Sequence, residues 1–182
     1  FESTAAENVG AMILGTALYP VFGVKGIIFP LIVGAINLVA SAVGVAVVRS
    51  REDQDPMDAL NRGYYVATTL ALLGFAAAVY TMLQGRWWLF GCGVVGIVTS
   101  FLFVRITEYY TEIRYRPVRS IAEASLTGPA TNIISGLAVG METPALPVAV
   151  ISAALLLSYY FGVRGLSDAA VSDYAKGIYG TA

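Results

Sequence analysis

The sequence predicts an all-α protein that crosses a membrane several times. Hydrophobic residues occupy 57% of its 182 positions and charged residues only 13%, and its mean hydropathy is +0.72. About a quarter of the residues in a soluble domain are charged, because the surface of such a domain must be hydrated. The low charge and the long uncharged runs therefore indicate a polytopic membrane helix bundle rather than a soluble enzyme.

Five largely uncharged runs are candidates for membrane-spanning helices, since about 20 apolar residues cross a bilayer core. Backbone groups in lipid must be hydrogen-bonded within their own segment, so each run is predicted to be a helix. The predicted spans, all in one transmembrane region over residues 1–182, are 1–24, 26–48, 63–83, 87–107 and 143–163. The first run contains Glu2 and Glu7, and it is predicted to be the remainder of a span.

The distribution of Lys and Arg predicts the orientation. Seven of the 11 Lys and Arg residues lie within 49–62 and 105–119, and such residues favour the cytoplasmic side of a membrane. The connections 49–62 and 108–142 are therefore predicted to be cytoplasmic. On the opposite side, Gln84, Gly85 and Arg86 form so short a link that the third and fourth spans are predicted to be an antiparallel hairpin.

The connection after the fourth span contains the most informative polar residues. Arg105, Glu108 and Glu112 are spaced i, i+3 and i+7, which places them on one helix face as a salt-bridged stripe. A solvated helix end with interfacial tyrosines would explain the same residues. Pro117 is predicted to end that helix, and two short helices are expected to follow, at residues 118–125 and 130–141.

Composition excludes several kinds of site. The chain has no histidine, one cysteine (Cys92) and a formal charge of −1. These counts exclude a catalytic dyad that uses histidine, an internal disulfide and a cysteine zinc cluster, and they do not suggest a nucleic-acid partner. Asp53, Asp55 and Asp58 lie among arginines and are interpreted as a solvated charge run. No catalytic residue and no metal ligand is predicted in the chain.

Several stretches of the sequence resemble one family. They are Glu108-Tyr109-Tyr110-Thr111, Pro117-Val118, Thr127-Gly128-Pro129-Ala130-Thr131-Asn132-Ile133-Ile134 and Gly136-Leu137-Ala138-Val139-Gly140-Met141-Glu142, with Phe1-Glu2-Ser3 before them and Gly177-Ile178-Tyr179-Gly180 after them. In this order they closely resemble the membrane-bound, ion-translocating inorganic pyrophosphatases. The whole chain resembles an internal portion of such a protein.

The resemblance implies a homodimeric pump, in a bacterial inner membrane, that hydrolyses cytoplasmic diphosphate and moves protons or sodium outward. It implies Mg²⁺ as cofactor, with the Mg²⁺ ligands and the catalytic residues outside this chain. The expected partners are the remainder of the polypeptide, a second copy, the lipid bilayer, diphosphate and protons. The isolated chain, which would contribute mainly supporting helices and the end of one ion-path helix, is expected to be inactive.

By the same resemblance, Glu2 matches a glutamate in the ion gate of the family. A carboxylate in a membrane helix is costly and usually faces a polar pathway; the alternative is that Glu2 is an exposed chain end. Glu7 departs from the family pattern and lies about 140° around the helix axis from Glu2. The two carboxylates are therefore predicted to face different neighbours.

A non-catalytic transporter subunit or scaffold would use the same lipid-facing helices and basic loops. Asp-rich segments upstream of Phe1 and downstream of Ala182 would favour the pump over this alternative.

Overall fold

The computed structural model describes the backbone of residues 2–48 and 56–182 and the side chains of residues 5–48 and 59–182. Every regular element within these residues is a helix. They are α1 (Glu2–Gly15), a 3₁₀ turn (Thr16–Leu18), α2 (Tyr19–Phe22), α3 (Val24–Val47), α4 (Pro56–Met82), α5 (Trp87–Thr111), α6 (Arg116–Ser125), α7 (Pro129–Glu142), α8 (Ala145–Gly165) and α9 (Asp173–Thr181). Contacts divide the chain into unit 1 (Phe1–Ile97 and Leu157–Ala182) and unit 2 (Val98–Leu156).

Four helical stretches are long and apolar enough to cross a membrane. They are Val24–Val47, Ala59–Met82, Trp87–Ser125 and Pro129–Gly165. Within their apolar windows only 6% to 11% of the residues are buried by the chain itself, so their apolar side chains face outward, where lipid or other membrane helices can cover them. The prediction of a multi-pass α-helical membrane protein is thereby confirmed.

The first predicted span, residues 1–24, forms three short helical pieces. α1 ends at Gly15, a 3₁₀ turn follows, and Pro20 lies in the first turn of α2. Proline has no N–H to donate to the carbonyl four residues earlier, so it fits the start of a helix but interrupts a continuous one. The segment is not among the four stretches above, and its assignment as the remainder of a span stays a prediction.

The predicted connection 49–62 includes the first turns of α4. α4 begins at Pro56, before the predicted start of the span at residue 63, while residues 49–55, with Asp53 and Asp55, lie outside the described residues. The predicted span began at the first residue of the uncharged run. Charged side chains limit the part of a helix that lies in lipid, but they do not limit the helix itself. A charged helical turn can extend into water, and Pro56 is tolerated at a first helical turn.

Pro117 begins a helix rather than ending one, contrary to the prediction. α5 ends at Thr111, Tyr115 is extended (φ −96°, ψ 158°), and Pro117 lies in the first turn of α6, where its missing N–H removes no helical hydrogen bond. The short helices expected at 118–125 and 130–141 are confirmed as α6 and α7. Between them Gly128 has φ +133°, a conformation that L side chains rarely adopt.

Unit 1 is built around close helix contacts. Leu18, Leu83 and Leu166 are completely or almost completely buried in its core. α3 and α4 approach closely at Gly44, where an added Cβ would lie 2.7 Å from the Cβ of Ala67. Small residues allow this approach, which favours dispersion contacts between helices in lipid.

The turn at 84–86 returns α5 against α4. Gln84 and Gly85 have positive φ angles of 57° and 69°. Beyond the turn, Phe75 of α4 packs directly on Gly93 of α5. This contact confirms the predicted hairpin.

Candidate functional site

The candidate ion-path helix is α1, which begins at Glu2. The side chain of Glu2 lies outside the described residues, so its assignment to the gate stays a prediction. Glu7 is described: it is exposed and lines a cavity together with residues of α3. The structure thus supports the expectation that Glu7 faces a neighbouring helix.

α1 packs against α3 in an antiparallel arrangement. A Cβ at Gly15 would lie 2.9 Å from the carbonyl oxygen of Gly26, and a Cβ at Gly34 would lie 2.8 Å from Oδ1 of Asn8. Increasing residue numbers in α1 therefore meet decreasing numbers in α3. The absence of side chains at both glycines lets the two helices approach closely.

A tyrosine of α9 replaces a hydrogen bond that α3 lacks. Pro30 lies inside α3 and has no N–H to donate to the carbonyl of Gly26, four residues earlier. The hydroxyl of Tyr179 donates to this carbonyl oxygen at 3.3 Å, in a buried position. Because a buried, unsatisfied carbonyl is costly, this bond both stabilises α3 and fixes α9 beside it.

Arg86 anchors the hairpin turn to the end of α8. Its Nη1 donates to the carbonyl oxygen of Gly165 at 2.8 Å, and its guanidinium carbon lies 5.8 Å from the ring centroid of Phe22. The C-terminal carbonyls of a helix have no intrahelical partner and carry partial negative charge. Arg86 supplies both a donor and a positive charge there.

In unit 2, a buried carboxylate pairs with two arginines. Glu108 is 6% exposed, and its two oxygens accept from Arg105 Nη1 and Arg114 Nη2, both at 3.1 Å. Arg114 also pairs through Nε with Glu112 at 2.8 Å. The predicted pairing of Arg105 with Glu108 is confirmed, and the burial of Glu108 goes beyond a solvated helix end.

A second contact in unit 2 joins the end of α5 to the end of α7. The hydroxyl of Tyr110 donates to Oε1 of Glu142 at 3.3 Å. Tyr110 is buried and Glu142 is exposed. With the Glu108 ion pairs, this bond fixes the polar connection predicted to follow the fourth span.

Several of these contacts were not predicted from the sequence. Arg114 reaches Glu108 from the turn after α5, Tyr110 reaches Glu142 across unit 2, and Tyr179 reaches Gly26 across unit 1. Only the last had a local signal, since a proline inside a helix always leaves one carbonyl to be satisfied.

The described residues contain no cluster of the carboxylate, imidazole and thiolate ligands that zinc sites use. No group of three or more His, Cys, Asp or Glu side chains in this part of the chain is arranged to hold a metal ion. Asp53 and Asp55 lie outside the described residues, and so does the side chain of Asp58.

Comparison with known families covers the whole sequence. The family model described as inorganic H+ pyrophosphatase matches residues 1–182. The chain belongs to the inorganic H+ pyrophosphatase family. The resemblance carried by the motifs from Phe1 to Gly180 is thereby confirmed.

The chain is similar to proteins of three named organisms. The chain is 54% identical to K(+)-insensitive pyrophosphate-energized proton pump 2 of Moorella thermoacetica, with 100% of the chain and 26% of the relative covered. It is 48% identical to the K(+)-insensitive pyrophosphate-energized proton pump of Caldanaerobacter subterraneus subsp. tengcongensis, again with 100% of the chain and 26% of the relative covered. It is 40% identical to pyrophosphate-energized membrane proton pump 3 of Arabidopsis thaliana, with 100% of the chain and 25% of the relative covered.

The chain thus spans about a quarter of the length of the curated relatives it matches. Its four membrane-length helices agree with a multi-pass integral membrane protein of this family.

Proposed function

We propose that the chain is part of a pump that couples the hydrolysis of inorganic diphosphate to the outward movement of protons across the cell's inner membrane. The observation that carries this proposal is the 54% identity, over the whole chain, to a relative named as a pyrophosphate-energized proton pump. The match with the family model over residues 1–182 favours the pump over a non-catalytic transporter subunit or scaffold. Protons are preferred to sodium because the relatives described above are named as proton pumps.

In this proposal most of the chain supports the pump rather than performing hydrolysis. α1 packs on α3 at Gly15 and Gly34. The tight contact of α3 with α4 and the Tyr179 bond hold α3 in turn, and the Arg86 bond holds the hairpin turn of the same unit. Mg²⁺ would bind to carboxylates of the remaining polypeptide, and a second copy would complete a homodimer. The connections 49–62 and 108–142 are proposed to face the cytoplasm, because basic residues concentrate there.

Glu2 is the proposed ion gate. It begins α1, the helix that Gly15 and Gly34 allow to pack closely on α3. A carboxylate in a poorly hydrated environment is costly when charged. It therefore binds a proton, or pairs with a cation, more readily than a carboxylate in water. Binding and release of a proton or cation at the Glu2 carboxylate can accompany ion movement only while α1 is held in place.

Reconstituted full-length protein tests the proposal. Vesicles that contain it should acidify internally when diphosphate and Mg²⁺ are added outside, and a protonophore should abolish the signal. Absence of diphosphate-driven acidification, with the protein folded and inserted, would contradict the proposed function.

Glu2→Gln keeps the shape of the side chain and removes its titratable charge. It should abolish or sharply reduce acidification, with some diphosphate hydrolysis remaining, whereas Glu7→Gln should reduce acidification much less. A Glu2→Gln protein that pumps with unchanged rate and proton-to-diphosphate ratio would show that Glu2 is structural.

A further inference from the structure

A cavity of about 640 Å³ lies among the helices of unit 1. Residues of α1, α3, α4, α5, α8 and α9 line it, and all of them belong to this unit. Its volume is many times the roughly 10–15 Å³ that one water molecule requires. Most of its wall is apolar, and Phe29, Phe75, Leu83 and Leu89 contribute to it.

Polar side chains reach the wall from α1, α3, α8 and α9, and the largest group of them comes from α1 and α3. Glu7 and Asn8 lie in α1, and Asn37 and Ser41 lie four residues apart on the same face of α3. Asn8 packs on Gly34, which precedes Asn37 by one turn. The antiparallel packing of α1 on α3 therefore brings these four side chains to one region of the cavity.

Their presence in this region calls for a physical explanation. α3 is one of the four membrane-length helices, and amide, hydroxyl and carboxylate groups are costly in lipid unless they face each other, water or an ion. Among the described side chains of the wall, Glu7 is the one carboxylate and none is a Lys or an Arg; Cys92 and Tyr179 are the other titratable side chains in that set. The wall thus combines one negative charge with neutral oxygen atoms.

We propose that this cavity is a hydrated site for a monovalent cation, either a proton carried by water or an alkali ion. Glu7 supplies the charge, and Asn8, Asn37 and Ser41 supply neutral oxygen ligands to the ion or its water. A single carboxylate balances one positive charge, whereas divalent ions usually take several. The site is proposed in addition to the gate at Glu2 and would attract cations beside the same helix.

Cysteine reactivity in the full-length protein tests whether the cavity contains water. In a background with Cys92→Ala and no other reactive cysteine, Asn37→Cys introduces a thiol into the cavity wall. Val39→Cys is the control, because Val39 is 64% exposed on α3 but does not line the cavity. Only the ionised thiol reacts with methanethiosulfonates, and ionisation requires water, so Asn37→Cys should react about tenfold faster or more.

The charge of Glu7 is tested by comparing a cationic with a neutral methanethiosulfonate. Adding Glu7→Gln to the Asn37→Cys protein should lower the ratio of the cationic to the neutral rate about fivefold, the effect of one unit charge near 4 Å in water. The neutral rate serves as a control for folding, because a collapsed cavity would slow both reagents equally.

Two further measurements identify the cation. Protection of the Asn37→Cys thiol from the cationic reagent by NaCl or KCl, but not by choline chloride at equal ionic strength, indicates an alkali ion. Loss of the rate ratio on acidification, without such protection, indicates a proton.

The proposal is wrong if Asn37→Cys is no more reactive than Val39→Cys, since another part of the protein then fills the cavity. It is also wrong if the rate ratio does not respond to Glu7→Gln. Diphosphate-driven acidification by the parent protein is measured separately, so a failure of the proposed pump function is distinguishable from a failure of this site.

Discussion

Replacing Glu108 by glutamine should loosen the connection between α5 and α6. The change keeps the size of the side chain but removes the charge that two arginines share, at 3.1 Å each. Arg105 and Arg114 would then lose their charged partner. The glutamine amide has one acceptor oxygen where the carboxylate has two, so it could not accept equally well from both arginines. The backbone around Arg114 should open more often.

The expected size of the effect follows from burial. A hydrogen bond to a charged group contributes about 1.5–3 kcal/mol. The side chains of Arg105 and Arg114 are 46% and 53% exposed, so water screens them and partly replaces the lost bonds. Taking about 1 kcal/mol for each pair gives about 2 kcal/mol, or roughly a 30-fold increase in the open population.

Limited trypsin digestion of the full-length protein in membranes measures this population. When opening and closing are fast, cleavage tracks the equilibrium fraction of the open form. Peptides ending at Arg114 and Arg119, quantified by mass spectrometry, should appear roughly 30-fold faster for Glu108→Gln. The matched control is Glu123→Gln, the same change at an exposed position of α6, which should leave the rate nearly unchanged. Equal cleavage of both variants would refute the argument that the buried ion pairs hold this connection.

Three other predictions follow from the same contacts and charges. Tyr179→Phe leaves the Gly26 carbonyl unsatisfied and should destabilise the protein by about 1 kcal/mol, measured as a lower thermal midpoint; Tyr174→Phe, at a 70% exposed position, should not change the midpoint. Single cysteines at Ser50 and Ser120, in a Cys92→Ala background, should be labelled only from the cytoplasmic side, and labelling of either from outside intact cells would reverse the proposed topology. The 182-residue chain alone should hydrolyse no diphosphate in the presence of Mg²⁺, and activity above a no-protein control would contradict the assignment of the catalytic groups to the rest of the pump.

The sequence by itself determined the fold class and the position of most helices. Hydropathy depends on local composition, and a run such as 26–48 must form a helix because lipid offers no partner to its backbone. The ion pair of Arg105 with Glu108 was predictable for a similar reason, since a separation of three residues brings side chains together in any α-helix. The charges that bound the predicted span at residue 63 did not show where the helix begins, because α4 already begins at Pro56 and a helix can continue beyond the lipid.

Only the tertiary structure decided which distant groups meet. Tyr179 reaches the carbonyl of Gly26 across 153 positions of the chain, and Arg86 reaches Gly165 across 79. The cavity that places Glu7 with Asn37 likewise depends on how α1 crosses α3. No local sequence pattern predicts contacts between residues so far apart in the chain. Such contacts depend on the shapes of whole helix faces and on glycines that let two backbones approach. The sequence identified the carboxylates of α1 as unusual, whereas the packing of α1 on α3 determined what Glu7 faces.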